Sequence, residues 1–310
     1  MTDPGGSDLQ GARELRLEGV VVPLITPFRR DLSLDLEALG WLLEKLGEAG
    51  VHAVFSSSTT GEFPLLTMDE VKRLNEFVVQ KRPRGVHVLA GVTSNNAEHA
   101  VELARHALDV GADAVVSTTP YYFKHGRDGL KRYFTRILDS VDIPLVLYTI
   151  PSTTGILLPV DLVKELALEY SSVIGIKATY DSLRYLARLV DEVKSLRKDF
   201  SVFTGSAYAM LPTLELGGDG AVAAIANAYP KTFVKLFEAW KRGELLEALK
   251  LHRRVLKLSK LYEIGEHVGA TLKALLRFAG APIELVSRPP ITPPSREEIE
   301  EFLRMYPVEL

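Results

Sequence analysis

A lysine at the end of an apolar run is the residue in this chain best suited to covalent chemistry. In Val173-Ile174-Gly175-Ile176-Lys177 four uncharged residues precede the amine. A strand of this composition would bury the stem of Lys177 and bring its amine among other side chains. Removal from water favours the free form of an amine, and a free amine attacks a ketone to give an imine. The imine is an electron sink that lets an adjacent C–C bond break or form. A second run, Leu145-Val146-Leu147-Tyr148, ends in a phenol that can deliver the proton a departing hydroxyl requires. A third, Ala53-Val54-Phe55, leads into Ser56-Ser57-Ser58-Thr59-Thr60-Gly61-Glu62. Successive N–H groups of the Thr59-Thr60-Gly61 turn can hold a carboxylate. Each feature has a plainer reading: a lysine that reaches solvent, an aromatic plug, an ordinary turn. Their joint occurrence at the ends of apolar runs moves the preference to chemistry. Glu62 reads as a brace for its loop rather than as a base.

The elements that must position these groups are legible as an alternation. Eight short β-branched runs begin near Gly19, Ala53, Val86, Ala114, Leu145, Val173, Ser201 and Gly220. Near-continuous apolar runs of this length suit strands covered on both faces, as in a parallel sheet. Amphipathic stretches separate them. Leu36, Leu39, Leu42, Leu43 and Leu46 form one helix face, as do Ala100, Leu103, Ala104 and Leu108, and Leu183, Leu186, Leu189 and Val190. Thr67 with Glu70 fits a capping box, Asn96 fits an N-cap, and Gly50, Gly111 and Gly217 stand where helices should stop. The pattern predicts a (β/α)₈ TIM barrel over residues 19–242, a flexible tail over 1–18 and a small C-terminal helical appendage over 243–310. An open doubly wound sheet is disfavoured, because Pro23-Leu24-Ile25-Thr26-Pro27-Phe28 after the first run lacks a glycine-rich phosphate loop. In a barrel the chemistry gathers at the C-terminal ends of the strands. Gly61, Gly205 and Ser206 are therefore taken as substrate-facing, along with Thr60.

Composition excludes several classes. The 310 residues are 46% hydrophobic and 25% charged, which describes a folded globular chain. A balance of 37 basic against 40 acidic residues favours neither nucleic acid nor an anionic membrane. With no cysteine there is no disulfide, no thiolate nucleophile and no cysteine-held metal. The seven histidines are scattered without ligand spacing, so no metal and no cofactor is expected. The polar start MTDPGGSDLQGA and the lack of a membrane-length apolar run predict a cytoplasmic location.

Ser58-Thr59-Thr60-Gly61-Glu62, Pro120-Tyr121-Tyr122, Tyr148-Thr149-Ile150-Pro151 and Gly175-Ile176-Lys177, in this order, resemble the dihydrodipicolinate synthase/N-acetylneuraminate lyase family. The resemblance runs from about Gly19 to Pro294. It implies a class I, Schiff-base-forming, pyruvate-dependent lyase, commonly a homotetramer. It also implies that Lys177 carries the imine, that Tyr148 relays protons and that Thr59 links Tyr148 into a relay. Thr60 would lie in the turn that binds the pyruvate carboxylate. Tyr122 would reach into a neighbouring subunit's site, and the Val222 carbonyl would line the pocket. Ser58 and Thr149 replace the family's usual Gly and Asn. Thr153 replaces an Arg that in dihydrodipicolinate synthases pairs with the carboxylate of aspartate semialdehyde, and a threonine cannot make that bidentate contact. With Arg288-Pro289-Pro290-Ile291 near the end, the pattern is closer to 2-keto-3-deoxygluconate aldolases, which cleave a sugar acid to pyruvate and glyceraldehyde. Lys124 and Arg127 leave a phosphorylated substrate open. Dihydrodipicolinate synthase is the alternative. A barrel that binds a 2-oxo acid without turnover is the second, and the Lys–Tyr–Thr constellation argues against it.

Overall fold

Eight parallel strands close into a barrel in the computed structural model, which describes residues 15–310. They are β1 (Gly19–Pro23), β2 (Ala53–Ser56), β3 (His87–Gly91), β4 (Ala114–Thr118), β5 (Leu145–Thr149), β6 (Val173–Ala178), β7 (Ser201–Thr204) and β8 (Gly220–Val222). Each pairs with the next, and β1 closes the ring on β8 through Gly19↔Gly220 and Val21↔Val222. Each predicted run is a strand, and closure removes the open-sheet alternative.

The helices are α1 (Leu36–Glu48), α2 (Met68–Lys81), α3 (Ala97–Asp109), α4 (Arg127–Leu138), a single turn α5 (Pro151–Thr154), α6 (Val160–Glu169), α7 (Leu183–Leu189), α8 (Met210–Glu215) and α9 (Pro230–Lys241). Three more follow the barrel: α10 (Leu245–Leu258), α11 (Val268–Phe278) and α12 (Arg296–Met305). Local signals explain their ends. Thr67 and Glu70 form the reciprocal capping box of α2, and the Asn96 side chain accepts from the Glu98 N–H. Gly50, Gly111 and Gly217 have φ of +78°, +86° and +90°, the left-handed turn that releases a helix.

Alternation along the strands separates two faces. Val21, Phe55, Leu89, Val116, Val146, Tyr148, Phe203 and Val222 fill the barrel interior. Their neighbours Val20, Val22, Val54, Leu147, Ile176 and Val202 pack outward under the helices. β6 breaks the alternation. Leu145 pairs with Val173, but Val146 pairs with Gly175, so Ile174 is an extra residue. This bulge lets Ile174 point inward near the floor and Lys177 point inward at the top, three residues later. A side chain at Gly175 would lie 2.6 Å from the Ser201 carbonyl oxygen, which is why the bulge carries glycine. Of the tail expected over 1–18, residues 1–14 lie outside the described residues. Leu17 is buried on the barrel floor, its carbonyl accepting from Ser201 Oγ at 2.7 Å. Among the described residues no helix is long and apolar enough to cross a membrane.

Candidate active site

The register of the barrel sets Lys177 beside Tyr148 on β5 and Phe203 on β7. Lys177 is 4% exposed, with Nζ 4.0 Å from the Tyr148 ring centroid and 5.3 Å from that of Phe55. The amine thus sits on aromatic faces at the C-terminal end of the barrel, and Val222 belongs to the same interior cluster. Gly205 leaves the room this requires. A Cβ there would lie 1.8 Å from Thr179 Oγ1 and 3.1 Å from Lys177 Cε.

The Tyr148 hydroxyl accepts from Thr179 Oγ1 at 3.4 Å. Thr179 is a residue that sequence reasoning passed over. It stands two positions after Lys177, so strand alternation aims it at the same side, and that period was the available signal. Thr59 lies across the mouth. Among the described residues its hydroxyl makes no hydrogen bond to Tyr148, so the hydroxyl joined to the phenol in this structure is that of Thr179.

The Thr59-Thr60-Gly61 turn is held from below. Thr59 O accepts from the Glu62 N–H at 3.0 Å and faces His267 Nε2 at 3.2 Å. Gly61 O accepts from Thr26 Oγ1 at 2.7 Å, and the Gly61 N–H donates to Ser58 Oγ at 3.2 Å. Among the described residues, the Thr59 and Thr60 N–H groups find no acceptor. Burial lowers the pKa of His267, which keeps its ring neutral at pH 7.

Two cavities are lined by residues of this centre, Thr59 in the first and Thr179 and Gly205 in the second. The first, about 380 Å³, is lined by Thr59, Phe63, Tyr121, Ile150, Thr153 and His267 among others. Thr153 lies in α5, where its hydroxyl donates to Ile150 O at 3.2 Å. The second, about 520 Å³, is lined by Ser152, Thr179, Asp181, Gly205, Ser206 and Tyr208 together with Pro151, Tyr180 and Tyr262. Asp181 Oδ1 accepts from Ser206 Oγ at 2.9 Å and from the Tyr208 hydroxyl. Burial and the Asp181 carboxylate both raise the Tyr208 pKa, so Tyr208 stays a donor. Among the described residues, no lysine or arginine lines either cavity. Arg127 is engaged elsewhere, with Asp161 at 2.8 Å and with Glu165.

Tyr122 is not brought to this centre. It is 87% exposed with φ of +79°, its ring edge-on to Phe123 at 5.1 Å. Glu62 is buried and braces its loop against the C-terminal helices, as its place in the sequence suggested.

A model of the dihydrodipicolinate synthetase family matches residues 16–306. An uncharacterized DapA-like lyase of Thermofilum pendens is 42% identical over 290 residues, covering 94% of this chain and 96% of that protein. A 4-hydroxy-tetrahydrodipicolinate synthase of Methanopyrus kandleri is 37% identical, covering 93% and 95%. A probable 2-dehydro-3-deoxy-D-pentonate aldolase of Escherichia coli is 36% identical, covering 91% and 94%. Identity therefore does not separate these two activities. A prophage protein of the dihydrodipicolinic acid synthase family from Escherichia coli, solved in complex with pyruvate, superposes with a TM-score of 0.90. It is 34% identical, with 93% of this chain and 98% of that one covered.

Proposed function

Since the chain belongs to the dihydrodipicolinate synthetase family, and is therefore a Schiff-base-forming, pyruvate-dependent lyase, we propose that it reversibly cleaves a 2-keto-3-deoxy sugar acid to pyruvate and a neutral hydroxyaldehyde. Lys177 Nζ adds to C2 of the sugar acid, and Tyr148 gives the proton with which the C2 oxygen leaves as water. The Tyr148 oxygen, bonded to Thr179, then takes the proton of the C4 hydroxyl. The C3–C4 electron pair passes into the imine, which frees the aldehyde and leaves an enamine on Lys177. Protonation at C3 and hydrolysis of the imine release pyruvate. The Thr59 and Thr60 N–H groups of the turn that ends at Gly61 hold the carboxylate throughout, with Val222 on the pocket wall.

The observation that carries this choice of substrate is the lining of the larger cavity. The Ser206 and Tyr208 hydroxyls donate to the Asp181 carboxylate, and the hydroxyls of Ser152 and Thr179 belong to residues lining the same cavity. Such a lining accepts and donates hydrogen bonds to a polyol. It repels an anion, because bringing a second carboxylate or a phosphate near Asp181 leaves like charges poorly screened. Thr153, standing where an arginine would pair with aspartate semialdehyde, supports the same reading. The test is a product screen with pyruvate against glyceraldehyde, its phosphate, aspartate semialdehyde and N-acetylmannosamine. Condensation should be fastest with glyceraldehyde. Turnover of aspartate semialdehyde at an equal or greater kcat/KM would sink the proposal in favour of dihydrodipicolinate synthase.

The exposed Tyr122 supports a role between subunits of a homotetramer. A bulky residue at positive φ is uncommon, and its exposed ring invites a partner. Sedimentation should give a four-chain species, and Tyr122→Ala should lower kcat by about 10²-fold, the lower end of the range for a lost proton-transfer group. A fully active monomer would refute it.

A further inference from the structure

A wholly buried ion pair lies outside the chemistry described above. Lys273 on α11 and Glu62 after β2 have side chains that are 0% exposed, with Nζ 2.5 Å from Oε1. Lys273 also donates to Val286 O at 2.9 Å, and its Nζ is 4.4 Å from the Phe28 ring centroid. Ser287 Oγ and the Arg288 N–H donate to the two Glu62 oxygens at 3.0 and 3.1 Å. Burial pulls the Lys273 pKa down to about 8, against the opposing pull of Glu62. Desolvating two charges carries a cost that their attraction rarely exceeds, so such a pair is a poor device for stability alone.

What the pair holds is geometry. Glu62 has φ of +60°, a left-handed conformation unusual for a residue with a side chain. It immediately follows Gly61. The first turn of the same α11 presses on the other side of the loop. His267 Nε2 meets Thr59 O, and Thr60 O lies so close to Gly269 that a Cβ there would be 2.1 Å away. In a trans peptide the N–H points opposite to the carbonyl. With the Thr59 carbonyl turned to α11, the Thr60 N–H must face away from that helix.

We propose that Lys273 is a positioning residue for the 2-oxo acid. Through Glu62, and with His267 and Gly269 of the same helical segment, it aims the Thr59-Thr60-Gly61 turn at the substrate carboxylate. Affinity for the keto acid is thereby set by the C-terminal helices, far from Lys177 in the chain. This inference rests on the reading that Lys177 forms the imine and that the turn receives the carboxylate.

The test compares two ketones in borohydride trapping on Lys177, pyruvate and acetone, of which only pyruvate offers a carboxylate. Lys273→Met combined with Glu62→Gln removes both charges at nearly constant volume. The half-saturating pyruvate concentration should rise about tenfold or more, the scale of one misdirected charge-assisted hydrogen bond, with acetone trapping nearly unchanged. Gly269→Ala pushes on Thr60 O without touching a charge, and should shift pyruvate in the same direction; it decides the matter if the double variant does not fold. Unaltered pyruvate half-saturation in a folded variant overturns the inference. So does an equal loss with both ketones, the mark of general distortion. Failure of the native enzyme to form any adduct at Lys177 would instead overturn the reading beneath it.

Discussion

Lys177→Ala is expected to abolish the covalent adduct with pyruvate and to lower turnover by at least about 10⁴-fold, because no step of the proposed reaction proceeds without the imine. No other buried amine in the described part of the barrel can substitute. Lys273, the other buried lysine among the described residues, is committed to Glu62 and lies behind the Thr59 loop. Lys177→Arg should be equally inactive, since a guanidinium does not lose its proton in proteins and cannot add to a ketone. The protein should remain folded in either case. Among the described residues Lys177 makes no ion pair, and the interior around it is aromatic and aliphatic. Peptide mapping after borohydride reduction checks this directly. A pyruvate adduct that persists in Lys177→Ala at comparable yield would refute the assignment of the nucleophile.

Tyr148→Phe is the second large effect. Phenylalanine keeps the ring beneath the amine, and so the packing, but removes the oxygen bonded to Thr179. Turnover should fall by about 10²–10⁴-fold, the range for a positioned acid or base. Half-saturation by pyruvate should change much less, because the carboxylate turn is untouched. Thr179→Val should lower turnover in the same direction but by less, since the phenol remains. Rapid-mixing measurements of imine formation and of aldehyde release separate the two proton transfers assigned to Tyr148. Retention of more than about a third of native turnover by Tyr148→Phe would remove it from the mechanism.

The strand ends bearing Lys177 and Tyr148 were legible because runs that must be buried on both faces are nearly continuous in the sequence, and the residue that breaks each run is its message. The same logic placed the caps at Thr67 and Asn96 and the stops at Gly50, Gly111 and Gly217. Two things were not legible. Thr179 stands beyond the last residue of β6, and an apolar run that stops at its first charged residue does not show that the strand direction carries on two residues past Lys177. Lys273 reads in sequence as an ordinary charge in an amphipathic helix. Its partner is 211 residues away, and no local pattern marks a contact at that separation. Arg288 reads in sequence as part of the Arg288-Pro289-Pro290-Ile291 motif. Its work in the fold is to reach Glu70 and the carbonyls of Leu65 and Leu32, and Glu70 is held down to about 2 by that guanidinium. That connection too is made by the folded chain rather than by neighbouring residues.

The closing of the barrel has a consequence for the order of events as the protein is made. The ring is complete only when β8 meets β1, and the Thr59 loop is seated only when α11 arrives. Contacts of such long separation form late, because the entropy of closing the loop must be overcome before they contribute. A chain still on the ribosome, short of α11, has its lysine and its tyrosine but not their finished surroundings. Imine formation at low pyruvate concentration, which needs the seated carboxylate turn, therefore reports the last stage of folding, and the appearance of Lys177 trappable by borohydride at that concentration during refolding would time it.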